Sequence, residues 1–389
     1  MQFAERLQPL TANVFADMDS AKATAAAAGR QVIDLSLGSS DLPAPADAIG
    51  AIASALSDAS THGYLLFQGT KSFRQAAAFW YTRKFGIPVD PEAEVLTLIG
   101  SQEGTGHLPL AILNPGDFAL LQDPGYPSHA GGVYLASGQV YPMPLRAEND
   151  FLPVFAEIPP LVLAQSRMMV LSYPHNPTAA TAPLSFFQSA VDFCRRHDLV
   201  LVHDFPYGDL VFDGSLHPSI LQADRDKSIS IEFFSMSKSY SMGGLRIGYA
   251  IGNAWLIRAL RQVKAVIDFN QYRGILNGAI AALSGPQDAV RVTVENFRRR
   301  RDAFVQGLHG IGWDVPIPAA TMYVWAPLPA PWTEDSILFC RQMVAATGVA
   351  AAPGAGFGKA GEGYVRFALV HEPSILEAAV EKIAKFMQG

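Results

Sequence analysis

The 389-residue sequence has only two cysteines, Cys194 and Cys340. They lie far apart and outside any CxxC spacing, which argues against a zinc site and against the disulfide framework of a small secreted domain. Both are expected to fill core space. Charge is sparse as well: charged residues make up 16% of the chain, the net charge is −6, and no basic stripe suits a nucleic-acid backbone. The one basic run, Arg298 to Arg301, reads as a solvated helix face. No apolar run approaches the roughly 20 residues that a membrane-spanning helix needs. The opening MQFAERLQPL lacks the basic start and apolar core of a secretory signal. Internal repeats, low-complexity tracts and flexible linkers are missing too. What remains is the expectation of a soluble cytoplasmic protein that binds neither nucleic acid nor membrane and needs no metal or disulfide to fold.

Hydrophobic residues, at 49%, are enough for one large core or two moderate ones. Residues 13 to 29 read as an Ala-rich helix ending at Gly29, and VIDLSLGSSDLPAP then turns extended. Apolar runs come next at VLTLI (95–99), FALLQ (118–122), RMMVLS (167–172), LVLVH (199–203), SIEFFS (230–235) and RIGYAI (246–251). Continuous rather than alternating hydrophobicity means burial on both faces, so the pattern predicts an α/β fold with a mostly parallel sheet flanked by helices. From about residue 280 the pattern changes to long helices with strands near TMYVWAPL and GYVRFAL, a smaller α+β domain. The expected division is 1–44 as an N-terminal arm and part of the small domain, 45–278 as the large domain, and 279–389 as the C-terminal small domain.

Ligands of an open parallel sheet bind at the carboxyl ends of its strands, so the residues just past each apolar run are informative. After VLTLI stands Gly100-Ser101-Gln102-Glu103-Gly104, a turn opening a helix and suited to phosphate. After FALLQ stands Pro124-Gly125-Tyr126-Pro127, and after RMMVLS stands His175-Asn176-Pro177-Thr178. LVLVH leads to Asp204 and Tyr207, and SIEFFS to Ser237, Lys238 and then Arg246. Each is a weak signal alone. Together they supply what pyridoxal 5'-phosphate requires. Lys238 is the amine that condenses with its aldehyde, and Asp204 the carboxylate that keeps the ring nitrogen protonated. Tyr207 and Asn176 can donate to the ring oxygen. Tyr126 can cover the ring face, while Ser101, Gln102, Ser235, Ser237 and Arg246 can hold the phosphate.

These residues resemble the class I and II aminotransferases, fold-type I pyridoxal-phosphate enzymes, over nearly the whole chain. GSQEG, QDPGYPSH, IEFFSMSKSYSM, PAATMYVWAPLP and GFGKAGEGYVRFAL look most like the LL-diaminopimelate aminotransferase group. The resemblance implies that Arg366 grips the substrate α-carboxylate with help from the Gly38 backbone and Asn176. It also implies that Tyr64, and Asn270 in a similar way, reach the neighbouring subunit's site, which makes the protein a homodimer with composite sites. Three positions depart from the family pattern. Ala179 follows Thr178 where glycine is frequent, Leu245 precedes Arg246 where tryptophan is frequent, and Gln102 stands where the narrower group commonly has lysine.

The implied reaction is a ping-pong transfer of an amino group from an amino acid, LL-diaminopimelate as first choice, to a 2-oxo acid such as 2-oxoglutarate. Lys238 would act first as covalent anchor and then as general acid and base. Alanine, aspartate or aromatic donors remain alternatives, as does β-elimination on the same cofactor. A non-catalytic ligand-sensing protein on this fold is the reading from another class. The glycine-rich GAGFGKAG, residues 354 to 361, has neither the spacing nor the Ser/Thr of a nucleotide-binding loop and reads as the lead into the Arg366 strand.

Overall fold

The continuous apolar runs become strands buried on both faces, in a computed structural model that describes residues 3–10 and 14–388. The parts of the predicted N-terminal arm and first helix that fall on residues 1–2 and 11–13 lie outside the described residues. In chain order the strands are β1 (Ile33–Asp34), β2 (Val95–Leu98), β3 (Phe118–Asp123), β4 (Gln139–Pro144), β5 (Ser166–Leu171) and β6 (Val200–Asp204). They continue with β7 (Ser230–Ser235), β8 (Gly248–Gly252), β9 (Tyr323–Pro327), β10 (Val349–Ala350), β11 (Ala352–Pro353) and β12 (Tyr364–Ala368).

Seven strands form the central sheet in the order β2-β8-β7-β6-β5-β3-β4. β8 runs antiparallel to both neighbours and the other pairs are parallel. This makes the sheet mostly parallel, and the one reversal has a useful result. The start of β8, just after Arg246, lies at the same edge as the carboxyl ends of β2, β3, β5, β6 and β7. Helices such as Ser101–Ile112 and Leu184–Arg196 cover the faces.

β4 was not read from the sequence. Pro142 and Pro144 stand within it, only one of its six residues is fully buried, and it lies at the sheet edge, where a strand tolerates missing N–H donors.

A second core joins the two ends of the chain. Met18 and Ala25 of the helix Val14–Ala27 pack with Phe297, Phe304, Phe339, Phe367 and Ile383. Here β11, β12 and β9 form an antiparallel sheet, while β1 pairs in parallel with β10.

The arginine run corrects its sequence reading. Arg300 is buried, because on the helix Asp288–Gly310 it shares the inner face with Phe297 and Phe304. Its guanidinium pairs with Asp41 at 2.6 and 2.9 Å and with Glu372 at 2.8 Å, tying the N-terminal segment to the end of the chain. Cys194 and Cys340 are both buried, and burial pushes both thiols up.

Candidate active site

The shared edge of the sheet opens into a cavity of about 590 Å³. Lys238 enters it from the short helix Met236–Ser239 after β7, and its Nζ donates to Gly38 O at 2.5 Å. Asp204 closes β6 and is buried. Its Oδ2 lies 3.0 Å from His129 Nε2, and its Oδ1 has no partner. A buried carboxylate oxygen left without a donor is a group built to receive one. Tyr207, three residues on, has its Oη 2.8 Å from Tyr323 Oη. Tyr126 also lines the cavity, its hydroxyl 3.5 Å from Gln102 Oε1, and burial raises its pKa.

The anion cup forms where Gly100 precedes the helix Ser101–Ile112. Its φ of +75° is the conformation that glycine adopts freely, and no side chain caps the first turn. A Cβ on Gly100 would come within 2.5 Å of Arg246 Nη2, so the missing side chain admits the guanidinium to the helix N-terminus. Ser101, Gln102, Ser235, Ser237 and Arg246 all line the same end of the cavity. Uncapped N–H groups, hydroxyls and one guanidinium make a site for a dianion.

Behind the cup, buried Lys264 donates to Glu103 at 2.8 and 2.9 Å and to Asp268 at 3.2 Å. Burial moves the Glu103 carboxyl to about 7 against the opposing pull of Lys264. Glu103, His107 and Asp268 hold their ligand atoms close enough for a cation, and the Lys264 ammonium already supplies the positive charge there.

Arg366, on β12 and buried, lines the same cavity. Its Nη1 donates to Asn176 Oδ1 at 2.8 Å, its Nη2 to Ser36 O at 2.7 Å, and its buried Nε has no partner. The guanidinium lies 4.3 Å from the Tyr323 ring centre and 4.6 Å from that of Phe357. Asp19, which is exposed, and Lys22 also line the cavity at its rim, 2.7 Å apart, with Lys22 also held by Asp34 at 2.8 Å.

All the predicted cofactor residues except Tyr64 therefore line one cavity, as do Gly38 and Arg366. Tyr64 and Asn270 do not. Tyr64 is 94% exposed, and Asn270 Nδ2 holds the neighbouring Leu65 O at 3.0 Å. Sequence reasoning missed His129 and Tyr323, although both stand inside motifs it singled out. His129 follows Pro-Gly-Tyr-Pro by two residues. Tyr323 begins a strand of the other sheet, where the rule about strand ends does not look.

The aminotransferase class I and II family model matches residues 30–383. The chain belongs to the class I and II aminotransferases. An LL-diaminopimelate aminotransferase of Dehalococcoides mccartyi is 42% identical to it over 99% of each chain. Among solved structures, the "probable N-succinyldiaminopimelate aminotransferase" of Thermus thermophilus is 41% identical, with TM-score 0.91, over 96% of this chain and 100% of that one. Substrate-bound BacF of Bacillus subtilis is 32% identical, with TM-score 0.94, over 99% and 98%. Membership makes this aminotransferase a pyridoxal-phosphate-dependent enzyme, and the residues present fit that group: a lysine amine, an orphaned carboxylate oxygen and a glycine-lined anion cup share one cavity. No described helix is long and apolar enough to cross a membrane.

Proposed function

We propose that this aminotransferase moves the amino group of LL-diaminopimelate to a 2-oxo acid such as 2-oxoglutarate by a ping-pong reaction, as a cytoplasmic homodimer. In this reading residues 45–278 hold the cofactor, while 1–44 and 279–389 close over it. The observation that carries it is one cavity lined together by Lys238, Arg366 and the Gly100–Arg246 cup.

Pyridoxal 5'-phosphate, when bound, supplies an aldehyde for the amino group and a ring that draws electrons from the substrate α-carbon. The chain does the rest. Lys238 would be the amine that holds this aldehyde and, when free, the general base and acid that moves a proton from and to the substrate carbon. Asp204, through its free Oδ1, holds a proton on the ring nitrogen, with His129 fixing the other oxygen. Tyr207 and Asn176 serve the ring oxygen, Tyr126 covers the ring, and Ser101, Gln102, Ser235, Ser237 and Arg246 secure the phosphate. Arg366, aimed by Asn176 and Ser36, takes the α-carboxylate with help from the Gly38 backbone. Tyr64 and Asn270 act across the dimer.

Diaminopimelate has a second aminocarboxylate at its far end. The carboxylate of Asp19 and ammonium of Lys22 at the rim match a zwitterion of that kind. The test is a panel of amino donors followed by the absorbance change of the bound cofactor. LL-diaminopimelate should react with the highest kcat/KM and need a 2-oxo acid to turn over. Pyruvate and ammonia formed from an amino acid alone would show a lyase instead, and equal rates with alanine or aspartate would remove the donor assignment.

A further inference from the structure

The paired hydroxyls of Tyr207 and Tyr323 join the segment that follows β6 of the central sheet to β9 of the smaller sheet, within one core. We propose that Tyr323 is a positioning residue with two separable parts: its hydroxyl donates to Tyr207 Oη and turns the Tyr207 proton into the cavity, while its ring backs the Arg366 guanidinium. The inference rests on the reading of Tyr207 as donor to the cofactor and of Arg366 as the carboxylate grip.

Four features fix Tyr323 in that place. The loop after Tyr207 is stitched to the loop before Tyr323: Phe212 N donates to Ala319 O at 2.9 Å, Thr321 N to Leu210 O at 2.8 Å, and Val211 bridges Ala320. Thr321 is held at φ +71°, a left-handed conformation that a β-branched residue rarely accepts. From there its Oγ1 receives Tyr323 N at 3.2 Å. On the far side, a Cβ at Gly38 would stand 2.0 Å from Tyr323 Oη, so the backbone that accepts from Lys238 Nζ closes directly onto the phenol. Finally, Tyr323 pairs with Ala368 in the β9–β12 ladder, two residues beyond Arg366, which brings ring and guanidinium together on one face.

The direction of the hydroxyl bond is set by proton counting. If Tyr207 gives its proton to a ligand in the cavity, its oxygen can only accept from Tyr323. The surroundings are consistent with this: burial raises Tyr207, while at Tyr323 burial is opposed by the charges of Lys238 and Arg366 and by the hydrogen bond with Tyr207, which lower it.

The test uses the cofactor-loaded enzyme and two readouts, the pH midpoint of the bound cofactor's absorbance change and the KM for donor and acceptor. Tyr323→Phe keeps the ring. It should raise the midpoint by about half a unit, roughly a threefold change in proton affinity, with KM within about twofold of the parent. Tyr323→Leu should also raise both KM values roughly tenfold. Tyr207→Phe should raise the midpoint by itself, and adding Tyr323→Phe to it should shift the midpoint no further. An unchanged midpoint in Tyr323→Phe, or additive shifts in the double variant, overturns the hydroxyl role. An unchanged KM in Tyr323→Leu overturns the role of the ring, and if that variant does not fold, Tyr323→Phe and the double variant still decide. A Tyr207→Phe enzyme with the parent midpoint and an Arg366→Lys enzyme with the parent KM would instead sink the underlying reading of the site.

Discussion

Asp204 Oδ2 and His129 Nε2 lie 3.0 Å apart in a buried pocket, and the other oxygen of Asp204 is left without a partner. The histidine thereby fixes which oxygen is free. A neutral amide at this place could not hold a proton on a ring nitrogen by charge. Asp204→Asn should therefore lower kcat by about 10²–10³-fold, on the scale of other lost electrostatic contacts to a reacting group. Single-turnover absorbance with an amino donor measures it. A slow first half-reaction with the cofactor still bound is the expected result, and parent-like rates would remove Asp204 from the chemistry.

The rim pair gives a test of donor choice. Asp19 is exposed and contributes no core packing, so Asp19→Asn should fold normally. Loss of its charge should raise KM for LL-diaminopimelate by about fivefold, the effect of roughly 1 kcal/mol. KM for alanine, which has nothing to reach the rim, should stay as it was. Equal changes for both donors would detach the pair from substrate recognition.

Tyr64 and Asn270 lie away from the cavity of their own chain, and Asn270 holds the segment next to Tyr64. If Tyr64 completes a neighbouring site, two defective enzymes should complement each other. Mixed and re-equilibrated in equal amounts, Lys238→Ala and Tyr64→Ala proteins form half mixed dimers. One of the two sites in each then has both residues intact, so about one quarter of all sites should work. Activity that never exceeds the sum of the separate proteins would rule out the crossing.

The sites where the sequence was informative are those where the backbone has to do something unusual next to an apolar run. Gly100, Lys238 and Arg246 qualified, since a turn, a lone amine and a guanidinium at strand ends have few bland explanations. Tyr64 could be named only by family likeness, because an exposed tyrosine carries no signal within its own chain. β4 and Arg300 were lost for opposite reasons. Prolines hid an edge strand, and a run of four arginines hid the one whose helix position turns it inward. Tyr323 was lost because its partners are remote in sequence and meet it only when the segment after β6 is stitched to the loop before β9.

Ala179 stands where family members often carry glycine, and it adopts φ +59°. An L side chain in that region is strained by roughly 1 kcal/mol relative to glycine, part of which the freer unfolded chain of a glycine variant takes back. Ala179→Gly should leave kcat and KM unchanged and stabilise the protein by up to about 1 kcal/mol, read from urea denaturation. Destabilisation would mean that contacts of the methyl group outweigh the backbone strain.

Two buried histidines contribute to the response to acid. His217 Nε2 accepts from Ala182 N at 3.3 Å and its Nδ1 lies 3.1 Å from Pro218 O, an arrangement that needs the neutral ring. Burial, with the His203 charge adding to it, lowers His217 from 6.5 to about 3, and burial does the same to His175 with help from His129. Both folded-state values are depressed, so the unfolded chain takes up protons first. The stability that these rings contribute is complete above pH 6.5 and is lost as pH falls towards about 3. In that window the two rings make unfolding easier by up to about 2.8 kcal/mol per pH unit, two protons at about 1.4 each, while the raised Glu103 carboxyl offsets about one proton between its folded value of about 7 and its free value of 4.5. Urea midpoints measured across the window should show the slope, and His217→Gln, whose amide can replace both hydrogen bonds, should reduce it by about 1.4 kcal/mol per pH unit. A variant with the full parental slope would mean that His217 is already protonated in the folded enzyme.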